Sequence, residues 1–233
     1  MIIEKIGDDM GKILRRTLLS LASIFLIFFS CQSARANVQY IDMKGHWSNN
    51  YVQVVTDSNI MNGYTDGTFK PNNNITRAEF YRIINQLAEL KKTYTVTFQD
   101  VKKSDWFYNE VAKGIKAGYI LPTTGNLNPN RDITRQEAMY IIGFMYELAP
   151  IPEEIEVFGD KDLLKEETKG YVGALCHYGI VNGYPDGNFK PNDPITRGEI
   201  SKIINLLFDK LQKPSEKVLM DSEIVFETKD YYD

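Results

Sequence analysis

The sequence predicts an all-α fold built from three copies of a helix–loop–helix unit, and three observations carry this prediction. One short pattern, Ile-Thr-Arg-x-Glu, occurs three times, beginning at Ile75, Ile133 and Ile195. Apolar residues at helical spacing follow each occurrence. The composition, with 43% hydrophobic and 25% charged residues in a chain of 233, is that of an ordinary globular protein and excludes a disordered or collagen-like chain.

The repeated pattern predicts the start of a helix in each copy. Its Thr accepts a hydrogen bond from the amide three residues later, and its Glu bonds back to the Thr amide. The apolar stripes behind it are Phe80, Ile83, Ile84 and Leu87; Ala138, Ile141, Ile142 and Met145; and Ile200, Ile203, Ile204 and Leu207. One copy alone cannot bury its stripe. We therefore predict that the three capped helices pack as a central three-helix bundle in one pseudo-threefold domain.

A second helix is predicted ahead of each capped helix. Its inward-facing residues are Tyr51, Val54 and Val55; Val111, Ala112 and Ile115; and Tyr171, Val172 and Leu175. Between the two helices of copy one, Asp66-Gly67 favours a tight turn and Pro71 interrupts any helix, which predicts an ordered loop. A calcium-binding EF-hand is excluded because Lys70 stands where the fifth ligand would be. We expect neither a metal nor a cofactor.

The first 36 residues are predicted to be a signal peptide. Residues 17–30 form an uninterrupted run of 14 apolar or small residues, whereas a membrane span needs about 20. We expect cleavage after Ala36 and no permanent membrane span. Lipidation at Cys31 is the alternative, and translation starts at Met1 or at Met10. The remaining boundaries are 37–95, 96–155 and 156–211 for the three copies and 212–233 for an acidic tail.

Charge and cysteine content narrow the function classes. Cleavage after Ala36 removes five basic and three acidic residues, which changes the net charge from −4 to −6. That sign is wrong for a protein that neutralises phosphates, so nucleic acid is not an expected partner. Cys176 is then the one cysteine left, and we interpret it as a small buried apolar residue rather than a reactive thiol.

Further repeated residues surround the capped helices. Each copy opens with an aromatic residue, a variable residue and an acid: Tyr40-Ile41-Asp42, Phe98-Gln99-Asp100 and Phe158-Gly159-Asp160. Copies one and three share Gly-Tyr-x-Asp-Gly-x-Phe-Lys-Pro-Asn, beginning at Gly63 and Gly183, and the two tryptophans stand at equivalent places in copies one and two. These residues closely resemble the S-layer homology family over residues 40 to about 211. The resemblance implies non-covalent anchoring to glycan polymers on bacterial peptidoglycan, commonly pyruvylated ones.

Two departures from the family pattern stand out. Copy two carries Leu121-Pro122-Thr123-Thr124-Gly125 in place of Gly-Tyr-x-Asp-Gly, and copy three lacks the tryptophan. Copy one alone keeps the tryptophan, the Asp-Gly loop and Ile-Thr-Arg-Ala-Glu together. On that basis we expect the first groove between lobes to dominate binding.

The candidate site residues each have two interpretations. Arg77, Arg135 and Arg197 either grip a carboxylate bidentately or pair with the acid that opens a copy, and the resemblance favours the first. Trp47 and Trp106 stack on sugar or lie in the core. Asp42, Asp100 and Asp160 accept sugar hydroxyls or cap a short helix. Gly63 and Gly183 let a ligand approach the backbone or permit a turn.

Two other function classes compete with an anchor. A wall-glycan hydrolase is disfavoured because the sequence has only His46 and His177 and no known nucleophile or metalloprotease motif. An envelope adaptor would instead bind another protein through the repeats or through the tail, where residues 222–227 alternate like a strand. That tail could dock on the bundle, pair with another chain or stay loose.

Overall fold

The computed structural model describes residues 39–214 and Ile224, which belong to one compact unit, Val38–Asp233. Its helices are α1 (Asn49–Asp57), α2 (Arg77–Leu87), α3 (Tyr108–Ala117), α4 (Arg135–Met145), α5 (Glu166–His177) and α6 (Arg197–Lys210). Short 3₁₀ turns span Pro152–Ile155 and Lys161–Leu163. Within the described residues the only strand-like pairings are isolated bridges, so the all-α prediction is confirmed.

The three predicted capping boxes are all formed. Thr76 accepts a hydrogen bond from the Glu79 amide at the start of α2, and the Glu79 carboxylate accepts one from the Thr76 amide at 2.9 Å. The same pair of bonds begins α4 and α6. Every residue of the three predicted apolar stripes is buried, so each capped helix contributes its whole stripe to the core.

A closed ring of backbone hydrogen bonds joins the three copies just before their capped helices. Ile75 donates to the Ile195 carbonyl at 3.1 Å, Ile195 to Ile133 at 3.2 Å, and Ile133 back to Ile75 at 2.9 Å. The amides that open α2, α4 and α6 likewise donate to carbonyls of another copy, at Arg131, Asp193 and Asn73. The pseudo-threefold arrangement remains a prediction, and this ring supports it.

The extensive helix contacts also connect different copies. Each capped helix packs on the first helix of the next copy: α2 on α3, α4 on α5, and α6 on α1. At the first of these interfaces the buried Asn85 donates to the Glu110 carbonyl and accepts from the Tyr119 hydroxyl at 2.7 Å. These contacts bury the stripes without requiring the capped helices to pack mainly on one another. The central three-helix bundle therefore remains a prediction.

The Asp-Gly loops are ordered turns, as predicted. Gly67 and Gly187 have φ of 81° and 82°, the left-handed backbone that the turn requires. Asp66 accepts hydrogen bonds from the amide and hydroxyl of Thr68, which closes the turn locally. These bonds, with a smaller contribution from Lys70, lower the pKa of Asp66 to about 2.

The two ends of the chain are described only in part. The predicted signal peptide, its cleavage site and Cys31 lie outside the described residues, as does most of the tail. Ile224 of the tail is buried and belongs to the hydrophobic core. In the part of the chain that the structure describes, no helix is long and apolar enough to span a membrane.

Candidate functional site

Two open grooves on the described surface are built to the same plan, each from all three copies. Groove A has a volume of about 370 Å³ and is lined by Gly63, Tyr64, Glu79, Arg82, Trp106 and Arg197, among others. Groove B has a volume of about 230 Å³ and is lined by the equivalent residues Gly183, Tyr184, Glu199, Lys202, Trp47 and Arg135. In both, one copy supplies the loop and the capped helix, a second supplies the arginine, and the third supplies the tryptophan.

Groove C occupies the third equivalent position, and both departures from the repeat pattern fall in it. Its volume is about 90 Å³, and it is lined by Arg77 and by Leu121, which belongs to the loop of copy two. Lys165 and Glu167, from copy three, line the side where grooves A and B have a tryptophan. The two irregularities in the sequence thus change one groove and leave the other two intact.

No groove is built from copy one alone. Gly63 lies in groove A, Trp47 in groove B and Arg77 in groove C. The expectation that these three elements of copy one form a dominant first groove is therefore wrong. Each groove combines residues from different copies, so a single copy cannot form a groove.

The three arginines are buried and tie each capped helix to the loop of another copy. Arg77, Arg135 and Arg197 are only 3%, 6% and 7% exposed. Arg197 donates from Nε to the Phe69 carbonyl and from Nη2 to the Asn62 carbonyl, both at 2.8 Å. Among the described residues, no ion pair joins these arginines to Asp42, Asp100 or Asp160, so the alternative interpretation of the arginines does not hold.

Arg135 and Arg77 make the corresponding contacts in the other two grooves. Arg135 donates from Nη2 to the Asn182 carbonyl at 2.9 Å. Arg77 donates to the Leu127 carbonyl in the loop of copy two. Each arginine therefore holds a loop in place from the floor of its groove.

The arginines differ in whether a carboxylate neutralises them. Arg77 pairs with Glu137 at 3.3 Å, and Arg131 pairs with the same carboxylate at 2.6 Å. Burial opposes ionisation of Glu137, but the two guanidinium groups and the Thr134 amide outweigh it and lower the pKa of Glu137. Among the described residues, no carboxylate lies within 4.0 Å of Arg135 or Arg197.

Grooves A and B thus each hold a buried cation that has no carboxylate within 4.0 Å among the described residues. Nε of Arg135 is also buried with no hydrogen-bond partner among the described residues. Aromatic faces provide part of the compensation, since the guanidinium of Arg135 lies 5.1 Å from the Tyr184 ring and that of Arg197 lies 5.0 Å from the Tyr64 ring. A buried, incompletely paired guanidinium favours an incoming anion.

Both tryptophans are on the surface, so the interpretation of them as core residues does not hold. Trp47 and Trp106 are each 55% exposed, and each lines one groove. Trp47 makes an edge contact with Tyr51 at 6.3 Å between ring centroids, and Trp106 a similar contact with Phe107 at 5.5 Å. These contacts fix the indoles while leaving surface open to a ligand.

The aspartates that open the copies hold the loops and do not line any of the three grooves. Asp42 accepts from the amides of Phe69 and Lys70 at 2.9 and 2.7 Å. Asp100 and Asp160 make the same pair of bonds to Leu127 and Asn128, and to Phe189 and Lys190. Both oxygens of each carboxylate are therefore engaged at a bend whose second residue has a positive φ of 55° to 59°. None of the three caps the following short helix with its side chain.

Gly63 and Gly183 line grooves A and B, and an aromatic ring packs directly behind each of them. A Cβ atom at Gly63 would lie 2.1 Å from Cε1 of Tyr40, whose hydroxyl accepts from the Gly63 amide at 2.8 Å. A Cβ atom at Gly183 would lie 2.7 Å from Cε1 of Phe158. Packing of the loop on the aromatic residue that opens the copy therefore requires glycine here.

Four groove residues were not singled out from the sequence. Arg82 and Lys202 are exposed, five residues after Arg77 and Arg197, and they place a second cation in grooves A and B. Tyr64 and Tyr184 follow the two glycines. Aligning the copies would have shown both pairs, because the residues recur at fixed distances from the conserved pattern of the repeat.

The tyrosine of groove B is held more tightly than that of groove A. The Tyr184 hydroxyl donates to Glu199. Burial, and then this bond, raise the pKa of Tyr184 to about 12. Tyr64 has no such partner among the described residues, which accords with the larger volume of groove A.

The described residues contain no other constellation that indicates chemistry. No group of three metal-ligating side chains occurs among them. Cys176 is half-buried, and burial raises the pKa of its thiol to about 11, in keeping with its interpretation as an apolar residue. His177 bonds to Glu154 at the surface.

Comparison with known proteins gives a consistent result. The amylopullulanase of Thermoanaerobacterium thermosulfurigenes is 34% identical over 72% of this chain and 9% of its own length. Exoglucanase XynX of Acetivibrio thermocellus is 33% identical over 76% of this chain and 17% of its own length. A cellulosome-anchoring protein of the same species is 33% identical over 62% of this chain and 34% of its own length. The chain thus spans about a third or less of the length of these relatives.

The S-layer homology domain matches at residues 39–80, 97–139 and 161–200. These three matches coincide with the three copies, and together they cover more than half of the chain. The chain belongs to the S-layer homology domain family.

Proposed function

We propose that this chain anchors non-covalently to the bacterial cell wall by binding an anionic polysaccharide in grooves A and B. The observation that carries the proposal is that each of these grooves combines a buried arginine without a carboxylate partner, a second basic side chain and an exposed indole. A membership in the S-layer homology family, and a relative named as a cellulosome-anchoring protein, support the same role.

The ligand that fits grooves A and B is a sugar bearing one carboxylate, such as a pyruvyl ketal. The carboxylate would lie toward Arg197 in groove A and Arg135 in groove B, and Arg82 or Lys202 would approach it from the rim. The indole of Trp106 or Trp47 would stack on the sugar ring. A hydrogen bond to a charged group contributes about 1.5–3 kcal/mol, or roughly ten- to a hundredfold in affinity.

Two moderate sites on one polymer would give firm attachment. Once groove A is occupied, the effective concentration of further sugar units near groove B rises, which increases overall avidity without new contacts. The net charge of −6 expected for the mature chain disfavours long-range attraction to a polyanion. Binding would then depend on the local contacts inside the grooves.

The remaining candidate residues are assigned to positioning the loops. Asp42, Asp100 and Asp160 each hold a loop bend through two backbone amides, so we assign them no direct bond to sugar. Arg77 is neutralised by Glu137, and we assign it to the structure of groove C. Gly63 and Gly183 bring the loop backbone to the groove wall.

The same reasoning favours a binding module over an enzyme. Relatives that are named as enzymes align with this chain over only 9% and 17% of their own lengths, a share too small to represent their whole activity. Secretion follows if residues 1–36 are removed as a signal peptide. An envelope protein as a further partner is the alternative, for which a relative named as a cellulosome-anchoring protein is the support.

Co-sedimentation with purified wall sacculi tests the proposal. The double variant Trp47→Ala with Trp106→Ala should lose most binding, and so should Arg82→Ala with Lys202→Ala, because all four side chains lie on the groove surface. Lys92→Ala is the matched control, since Lys92 is exposed and lines none of the three grooves. Sacculi stripped of their secondary polymer should bind none of these proteins. Equal binding of the double variants and the control would refute the proposal.

A further inference from the structure

Groove C differs from grooves A and B in charge. Grooves A and B are each lined by two cations and one carboxylate. Groove C is lined by two cations, Arg77 and Lys165, and by two carboxylates, Glu137 and Glu167. Its buried cation is already neutralised, since Arg77 pairs with Glu137 at 3.3 Å. Among the lining residues the charges balance, so an anionic sugar would gain less here than in grooves A and B.

Three buried polar side chains that line groove C, those of Gln136, Thr168 and Tyr119, have partners inside the protein. Gln136 donates to Asn192 at 2.6 Å and accepts from the Lys165 amide at 2.9 Å. Thr168 donates to the Lys165 carbonyl at 2.8 Å, and the Tyr119 hydroxyl donates to Asn85 at 2.7 Å. The interior of the groove therefore offers a ligand mainly apolar contact.

The walls of groove C are apolar, and the space between them is small. Tyr81, Tyr119, Leu121, Tyr140 and Ile141 line it. The volume of about 90 Å³ is below the ~150 Å³ of a cavity that holds benzene. A small apolar substituent fits this space, whereas a whole ring does not.

The rim of groove C suits an uncharged sugar. Tyr140 stands at the position that Arg82 and Lys202 occupy in the other grooves, so an aromatic side chain replaces the second cation. The exposed Lys165 and Glu167 lie at the mouth and can bond to hydroxyl groups. Groove C thus lacks the second cation at its rim, where Tyr140 stands, and the cation on its floor, Arg77, is paired with Glu137.

We infer that groove C binds an uncharged sugar through an acetyl substituent, carried on nitrogen or on oxygen, whose methyl end enters the apolar space. The sugar ring would lie at the rim against Tyr140. This inference rests on the proposed function, because it takes the ligand to be wall carbohydrate. It adds a site for an uncharged sugar to the two sites for an anionic sugar, so that the domain binds two kinds of sugar unit.

Methyl NMR of the whole chain tests the inference with defined probes. Triacetylchitotriose supplies the acetyl group on nitrogen, an O-acetylated xylotriose supplies it on oxygen, and cellotriose lacks it. At least one acetylated probe should shift the methyl signals of Leu121 and Ile141 and bind about fourfold or more tighter than cellotriose, the factor that one buried methyl group is worth. The fluorescence of Trp47 and Trp106 should not change, because both lie outside groove C.

Variants separate binding in groove C from binding elsewhere. Leu121→Trp fills the apolar space and should abolish the preference for the acetylated probe, and Tyr140→Lys should weaken its binding more than threefold. Lys92→Tyr, at an exposed lysine that lines none of the three grooves, is the control and should leave this binding unchanged. Thermal midpoints establish that each variant folds.

Three results would overturn the inference: cellotriose binding as tightly as both acetylated probes, unmoved Leu121 and Ile141 signals, or a folded Leu121→Trp protein that keeps the preference. Failure of this inference can be distinguished from failure of the proposed function. Wall binding without any response of Leu121 to acetylated probes refutes only the neutral site. A response at Leu121 from a protein that fails to sediment with walls refutes only the anchoring role.

Discussion

Replacing Arg197 tests whether the buried arginines hold the copies together. In Arg197→Ala, the carbonyls of Phe69 and Asn62 lose donors that lie 2.8 Å away. Each such bond to a charged group contributes about 1.5–3 kcal/mol, and the relief from burying a cation offsets part of the loss. We expect a net destabilisation of about 3 kcal/mol. For a domain of this size that lowers the thermal midpoint by roughly 6–12 °C.

Two further variants make the Arg197 experiment specific. Arg197→Lys keeps the charge but cannot reach both carbonyls with one ammonium group, so it should lose about half as much stability. Lys202→Ala changes an exposed side chain of the same helix and should stay within about 0.5 kcal/mol of the unchanged protein. Circular dichroism melting curves give all three values. A midpoint for Arg197→Ala within 2 °C of the unchanged protein would refute this structural role.

Three other predictions concern single groups. Because the pKa of Glu137 is lowered in the folded state, its ionised form stabilises the fold above pH 4.5, and this contribution is lost as the pH falls through the folded pKa. Glu137→Gln should therefore lower the free energy of unfolding at pH 7. In urea titrations at several pH values, the stability of this variant should also fall less steeply toward acid pH. Gly63→Ala should destabilise by about 1–3 kcal/mol, since its methyl would overlap the Tyr40 ring; an unchanged urea midpoint would contradict this. Cys176, with a pKa near 11, should react with iodoacetamide at pH 8 more than tenfold slower than in urea; equal rates would show an accessible thiolate.

The helices could be predicted because their signals are local. The Thr and Glu of each capping box are three residues apart, and the apolar stripe behind them repeats at helical spacing, so both were visible in the sequence. The Asp-Gly turns follow from the same kind of local chemistry. These elements formed at the predicted positions because neighbouring residues determine them.

The composition of the grooves could not be predicted, because it depends on contacts between copies. Nothing near Arg135 in the sequence indicates that it meets Asn182, or that Arg197 meets Asn62, 135 residues away. That Trp47 lines groove B with residues of copies two and three also depends on how the copies pack. Internal repeats show which residues are equivalent, but they leave open which copy each residue will contact.

The irregular second loop illustrates the same limit. Its divergence, beginning at Leu121, and the missing tryptophan of copy three looked like two independent defects in two copies. The structure places both in groove C, opposite an arginine that Glu137 neutralises. Only the three-dimensional arrangement shows that they alter a single groove.

The most direct test of the central claim is calorimetric titration of residues 37–233 with a short fragment of purified wall polymer, before and after its carboxylates are converted to methyl esters. The account predicts two carboxylate-dependent sites, in grooves A and B, and at least a tenfold loss of affinity at these sites on esterification, because one charged hydrogen bond to the ligand is lost. Trp106→Ala should remove one of the two sites. Equal affinity for the esterified fragment would contradict recognition of a carboxylate by Arg135 and Arg197.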